Sequence, residues 1–436
     1  MSSKSFLSLV LLIALQIVNG HVMAAAAPEV IASIRLAEHA GSINSAVFSP
    51  DGTRIVSTSS DGIARVWDAS TGANLLALAG HIGAILSAAF SRDGARIATA
   101  SGDHTARVWD TRTGHLLRRL VGHKDKVASA AFNRDGTRIV TASFDGTARV
   151  WGTRTGALLR SLVGHTDKVG SAAFNHDGTL IVTASDDGTA CVWDTETGTE
   201  LLILAGHTDK VNSAAFNHDG TLIVTASDDG TACVWDTETG TPLHTLKGHI
   251  DKVNSAAFSH DGTLIVTASD DHTARVWDAA TGTPLHTLEG HTDIVYSAAF
   301  NHDGTLIVTA SFDRTACVWD TETGTPLHTL KGHTDIVVSA VFNPDGTRIV
   351  TASYDSIARV WRDTRAQVAS AQTRRAMAAL AQGLHPRMGA YSPVQFASPF
   401  ILQQIGSCLK YQSFQAYVPA PATTSILGIL WQMFYR

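Results

Sequence analysis

Between Gly206 and Lys247 the apolar and polar residues alternate in short runs, not at helical spacing. Val211–Asn217 (VNSAAFN), Thr221–Ser227 (TLIVTAS), Thr231–Asp236 (TACVWD) and Thr241–Leu246 (TPLHTL) are rich in β-branched residues and bounded by Gly, Asp or Asn. Period-two runs of this kind predict strands, because successive side chains of a strand point to opposite faces. The turns between them read HDG, DDG and TETG. In each, Gly supplies the positive φ that a tight turn requires. The stretch predicts four strands in succession, joined by hairpins.

The same pattern recurs along the chain at a fixed interval. Trp67, Trp109, Trp151, Trp193, Trp235, Trp277, Trp319 and Trp361 keep a strict 42-residue step. So do eight histidines from His39 to His333, eight phenylalanines from Phe48 to Phe342, and eight Asp-Gly pairs from Asp51-Gly52 to Asp345-Gly346. A strict period of this length marks supersecondary units that bury their apolar faces only by stacking. Four-stranded units repeated about eight times predict an all-β fold closed radially, a β-propeller.

Each unit opens with Gly-His, carries an Asp in the turn before its third strand and ends that strand with Trp-Asp. In these residues the chain resembles the WD-repeat family. The resemblance implies a buried hydrogen-bonded tetrad of His, Ser or Thr, Asp and Trp in each blade. Two such tetrads are His207, Thr225, Asp229 and Trp235, and His165, Thr183, Asp187 and Trp193. Ser227 and its equivalents are rival hydroxyl partners. Departures are small: Glu38 stands for the first Gly, and Gly152 and Arg362 follow their Trp in place of Asp. The resemblance spans about residues 30–361.

Ring closure follows from counting strands. Each stretch from Gly-His to Trp-Asp supplies three strands, and the fourth precedes the next His. After Trp361 no strand pattern follows, whereas Val30–Ala37 (VIASIRLA) aligns with Ala73–Ala79 (ANLLALA). The first strand is therefore expected to complete the last blade, leaving no open edge. Eight blades balance this arithmetic better than seven with a loose unit.

The ends are of different character. Met1–Ala27 carries Lys4, an apolar run from Phe6 to Val18 and the small-residue stretch VMAAAA, the pattern of a secretory signal peptide. Val22 and Ala24 suit cleavage after Ala24, and Ala26 or Ala27 would also serve. Export is expected, with cytoplasmic retention as the alternative, and the apolar run is too short to span a bilayer. Residues 362–436 form a tail in which Asp363–Leu384 reads as a packing helix. From His385 onward proline breaks the period, and disorder is expected.

Charge and candidate chemistry narrow the picture. A net charge of −6 with only 17% charged residues gives no nucleic-acid footprint. Cys191, Cys233 and Cys317 share one repeat position, where other units carry Arg. Equivalent positions in different blades are too far apart for a disulfide, so free packed thiols are expected. No nucleophile elbow, phosphate loop or metal-binding motif occurs. Neither a metal nor a cofactor is expected. Of the 20 histidines, eight fall at tetrad positions. His176, His218, His260 and His302 fall in turns, and His244, His286 and His328 on fourth strands. One blade apart, these are expected to point in different directions around the ring.

The resemblance also implies that three positions per blade project onto the face where the tetrad turns meet. They are the third and fifth residues after the His and the residue before the tetrad Asp. Blades four to six carry Lys168, Lys210 and Lys252 with Asp186, Asp228 and Asp270, a solvated charged sector. Blades seven and eight carry Ile294, Tyr296, Phe312, Ile336, Val338 and Tyr354, and blade two adds Leu86. An apolar, aromatic sector on such a face marks a contact surface. The expected function is a non-catalytic, monomeric scaffold binding a protein or peptide there. The alternative is a ligand-binding or enzymatic propeller using its central channel, as some eight-bladed quinone-dependent dehydrogenases do. Against it, every repeat Trp is already assigned to a tetrad and only Trp431 is spare.

Overall fold

The computed structural model describes residues 33–362. The expected signal peptide, the first three residues of the Val30–Ala37 run, and the tail beyond Arg362 lie outside the described residues. Within them the chain forms eight four-stranded antiparallel sheets. In blade five the strands are Val211–Phe216, Leu222–Ser227, Ala232–Asp236 and Pro242–Leu246. Each lies within a run expected from its alternation. Gly230, in the turn before the third strand, has φ +81°, a conformation that a side chain resists.

The second strand of each blade is the most deeply buried, because it has a neighbouring sheet on both faces. Eight apolar clusters fill the eight gaps between adjacent sheets. One joins Val182, Val192 and Leu204 of blade four to Ile223, Cys233 and Trp235 of blade five. The cluster between blades eight and one contains Leu36, Val350 and Val360 together with Ile43, Ile55 and Trp67. The apolar seam thus runs unbroken around the ring. First strands of neighbouring blades adjoin one another, which places them innermost.

Ser33–Leu36 is the fourth strand of blade eight, paired antiparallel with Ala358–Arg362. Blade eight is therefore built from both ends of the described chain, and eight blades close with no open edge at the junction.

Candidate partner-binding rim

The tetrad residues hold the turns that form one face of the ring. Trp235 Nε1–H donates to Thr225 Oγ1 at 2.9 Å, and that hydroxyl lies 2.7 Å from His207 Nε2. His207 Nδ1 lies 2.8 Å from Asp229 Oδ2. An indole N–H only donates, so Trp235 donates to the Thr225 hydroxyl, which links it to the His207 ring and through that ring to Asp229. Ser227, the rival hydroxyl, instead donates to the Asp209 carbonyl and accepts the Asp229 N–H, both at 3.1 Å. Blade four repeats the arrangement with Trp193, Thr183, His165 and Asp187.

The electrostatics fit a structural relay. Burial alone would raise Asp103, but hydrogen bonds from Thr105 and His81 hold its carboxyl down to about 2. Asp229 is also held below the ordinary carboxylate range: hydrogen bonds from Thr231, His207 and the Thr208 N–H outweigh its burial. Burial pushes the imidazoles of His81 and His123 below 6.5 despite their carboxylate partners. The hydroxyl and imidazole of the blade-four and blade-five relays are each engaged inside their own blade.

Three positions per blade stand on the turns so anchored. The first strand of each blade carries a β-bulge at the fifth residue after the His, including residues Asn212, Asn254, Tyr296 and Val338. A bulge leaves its extra residue out of the ladder and re-aims its side chain. In blades five and six that residue reaches the one before the tetrad Asp: Asn212 Nδ2 donates to Asp228 at 2.7 Å and Asn254 Nδ2 to Asp270 at 2.8 Å. In blade seven the same two positions hold Tyr296 and Phe312, whose rings stack at 5.6 Å with planes 23° apart. One aromatic pair replaces one hydrogen-bonded pair in register.

A second set of contacts runs between blades. In blades four to six the third residue after the His reaches back to the residue before the preceding blade's tetrad Asp. Lys210 pairs with Asp186 at 3.1 Å and Lys252 with Asp228 at 2.7 Å. Lys168 Nζ sits 5.4 Å over the Phe144 ring. The lysines are about half exposed, and exposed pairs of this kind contribute ~0–1 kcal/mol each.

The apolar sector is smaller than its sequence suggests. Val338 is only 6% exposed and belongs to the core between blades eight and one, so it is not part of a docking surface. Ile336 and Phe312 are half-buried against the same core. Leu86 is half-buried on blade two, and the polar Ser42, Asn44 and Ser60 of blade one separate it from the others. What stays open is Tyr296 at 45% and Tyr354 at 42%, with Ile294, Phe312 and Ile336 partly exposed between them. The Tyr296 phenol is pushed up from its ordinary value, first by partial burial, then by the nearby Tyr354 and Asp270.

The opposite face carries a feature that the repeat spacing hid. His176, His218, His260 and His302 do not point apart. Their rings form a ladder with centroid spacings of 4.3, 4.3 and 4.2 Å, and Arg134 Nη1 lies 3.0 Å from His176 Nδ1. Among the described residues no group of three or more His, Cys, Asp or Glu is arranged to hold a metal ion. Cys191, Cys233 and Cys317 are free and buried, and burial pushes the Cys191 thiol up to about 12, which leaves it unreactive. Among the described residues no helix is long and apolar enough to cross a membrane.

Closed rings of four-stranded blades define a β-propeller. This chain belongs to the WD40 family: the family model described as WD domain, G-beta repeat, matches it eight times, at residues 31–68, 72–110, 114–152, 156–194, 198–236, 240–278, 282–320 and 324–362. Each match begins with the fourth strand of the preceding blade, which is the offset that closes the ring. Among solved structures the chain is similar to the computationally designed Ika8 protein, at 32% identity and a TM-score of 0.68, over 74% of this chain and 97% of that one. No curated protein matches it.

Proposed function

We propose that this protein is a non-catalytic scaffold that docks a protein or peptide partner on the rim of blades seven and eight. The observation that carries this reading is the Tyr296–Phe312 stack, beside exposed Tyr354, on the face formed by the tetrad turns. Rigid aromatic rings desolvate a large area at low entropy cost, which is why they anchor interfaces. WD40 propellers typically serve as protein-interaction platforms, which agrees with this placement. We propose in addition that the protein acts outside the cytoplasm. The leader-like Met1–Ala27 supports this, and a mature chain beginning near Ala25 is the expected product.

The test is affinity capture with the full chain, comparing the wild type with Tyr296→Asn plus Phe312→Asp. Blade six already carries Asn254 and Asp270 at these positions, with Ile294 of blade seven next to Asp270 in the inter-blade register, so the fold has a local precedent for both changes. Captured partners should bind at least tenfold more weakly, about 1.4 kcal/mol. The matched control, Lys210→Ile plus Asp228→Phe, should change affinity little. Loss on the control and not on the aromatic change would move the docking site to the charged sector.

A further inference from the structure

The inter-blade contacts of the rim form a series of rungs, and one rung lacks its cation. Asp186 faces Lys210 and Asp228 faces Lys252, each across one blade boundary. The next carboxylate in register is Asp270, and the position that would supply its lysine is Ile294. Among the described residues Asp270 makes no ion pair, and its Oδ1 accepts the Asn254 amide at 2.8 Å. The same Asn254 amide also donates to the Val295 carbonyl at 3.2 Å, which sets Asp270 beside the neighbouring residue Tyr296, itself stacked on Phe312.

Both halves of a cation site are already satisfied elsewhere on this rim by the chain's own lysines. At one rung an ammonium meets a carboxylate at 2.7 Å, and at another an ammonium lies 5.4 Å over an aromatic ring. Among the described residues only the Asp270 rung sets a carboxylate beside an aromatic pair without an ion-pair partner; Lys252 of the same blade acts on it only at longer range, its ammonium being paired with Asp228. Resting on the reading that this rim is the docking face, we propose that the notch between Asp270 and Tyr296 takes a lysine or arginine side chain of the protein partner. A cation over an aromatic face gains electrostatically, and more so when a carboxylate stands beside it. A purely apolar partner would instead cover Asp270 without pairing it, which carries a desolvation cost. An anionic partner would meet like charge.

A random heptapeptide phage library, selected on the full chain, tests this with defined probes. Enriched peptides should carry a Lys or Arg beside an apolar residue. A synthetic peptide of the enriched sequence should lose at least about tenfold in affinity when that residue becomes Gln. Asp270→Asn should produce a similar loss. So should Ile294→Lys, which fills the rung with the residue that blades four to six carry. On either variant the Lys-to-Gln change in the peptide should then cost little, the signature of a direct pair. The melting temperature of each variant checks that the fold is intact. Enriched peptides that need Tyr296 and Phe312 but contain no basic residue would overturn the cation notch and leave the docking face standing. Peptides indifferent to all four positions would overturn both.

Discussion

Leu36 pairs with Ala358 across the blade-eight sheet, so residues near the two ends of the described chain share one ladder. The Leu36 side chain is fully buried and lies in the cluster that joins blade eight to blade one. It therefore does two jobs, since it ends the last sheet and seals the last gap in the ring.

Leu36→Ala should cost ~2–5 kcal/mol, the range for a buried leucine whose cavity cannot fully collapse. Deleting Ser33–Leu36 should do more, because it exposes the unpaired edge of Ala358–Arg362 and invites association between chains. Thermal melting and light scattering read these two effects. Unchanged melting and solubility after the deletion would mean that the ring does not depend on the clasp.

Asp229→Ala should destabilise the protein by ~1–3 kcal/mol, because the carboxylate answers several donors at once. Its Oδ2 accepts from His207 Nδ1 and the Thr208 N–H, and its Oδ1 accepts the Thr231 N–H and hydroxyl. Hydrogen exchange should show the loss centred on blade five, with smaller effects two blades away, since coupling in repeat arrays is mainly between neighbours. A loss spread evenly over the ring, or one below ~0.5 kcal/mol, would contradict this account.

The blade plan could be read from the chain because its signals repeat in register. Alternation, turn glycines and the His-to-Trp spacing each report on local geometry. The offset of the first strand showed how the ring closes. Val338 escaped that reading because exposure at a bulge depends on the neighbouring blade. There Leu36, Ile43 and Ala46 supply an apolar wall that a small β-branched side chain folds into. Tyr296, at the same bulge position, is too large to be covered. The lysine rungs needed coordinates too, since nothing in a single unit says that Lys210 reaches back to Asp186 rather than to its own blade. The histidine ladder was missed for a related reason. A 42-residue step fixes which blade carries each ring but not that the side chains lean together at the inner end of the ring.

That ladder predicts a pH dependence separable from the tetrads'. Desolvation where the rings stack pushes His176 and His260 below 6.5, helped by Arg134, His218 and Arg92 for the first and by His302 and His218 for the second. The carboxylates that follow, Asp177 and Asp261, oppose this and are overcome. A base depressed in the folded state binds fewer protons than the unfolded chain does below 6.5, so its contribution to stability is present above that value and is lost as pH falls. The melting temperature should therefore drop between about pH 7.5 and about pH 5.5 as imidazoliums crowd within ring contact of one another. His218→Gln removes the ring that touches both His176 and His260, and it should shrink that drop. The tetrad imidazoles of His81 and His123 are also depressed and contribute in the same window, while His291, raised to about 9 against its burial by Asp313 and Cys317, works in the opposite sense, so part of the drop should survive the substitution. Salt separates the two sources. At about 0.5 M the exposed ladder is screened, while the buried His81–Asp103 pair is not. Wild type in high salt should thus move toward the variant's profile, and the variant should respond to salt less than the wild type, through the Arg134–His176 and His260–His302 contacts that remain. Superimposable profiles for wild type and His218→Gln at low salt would show that the four rings lean together without charging one another.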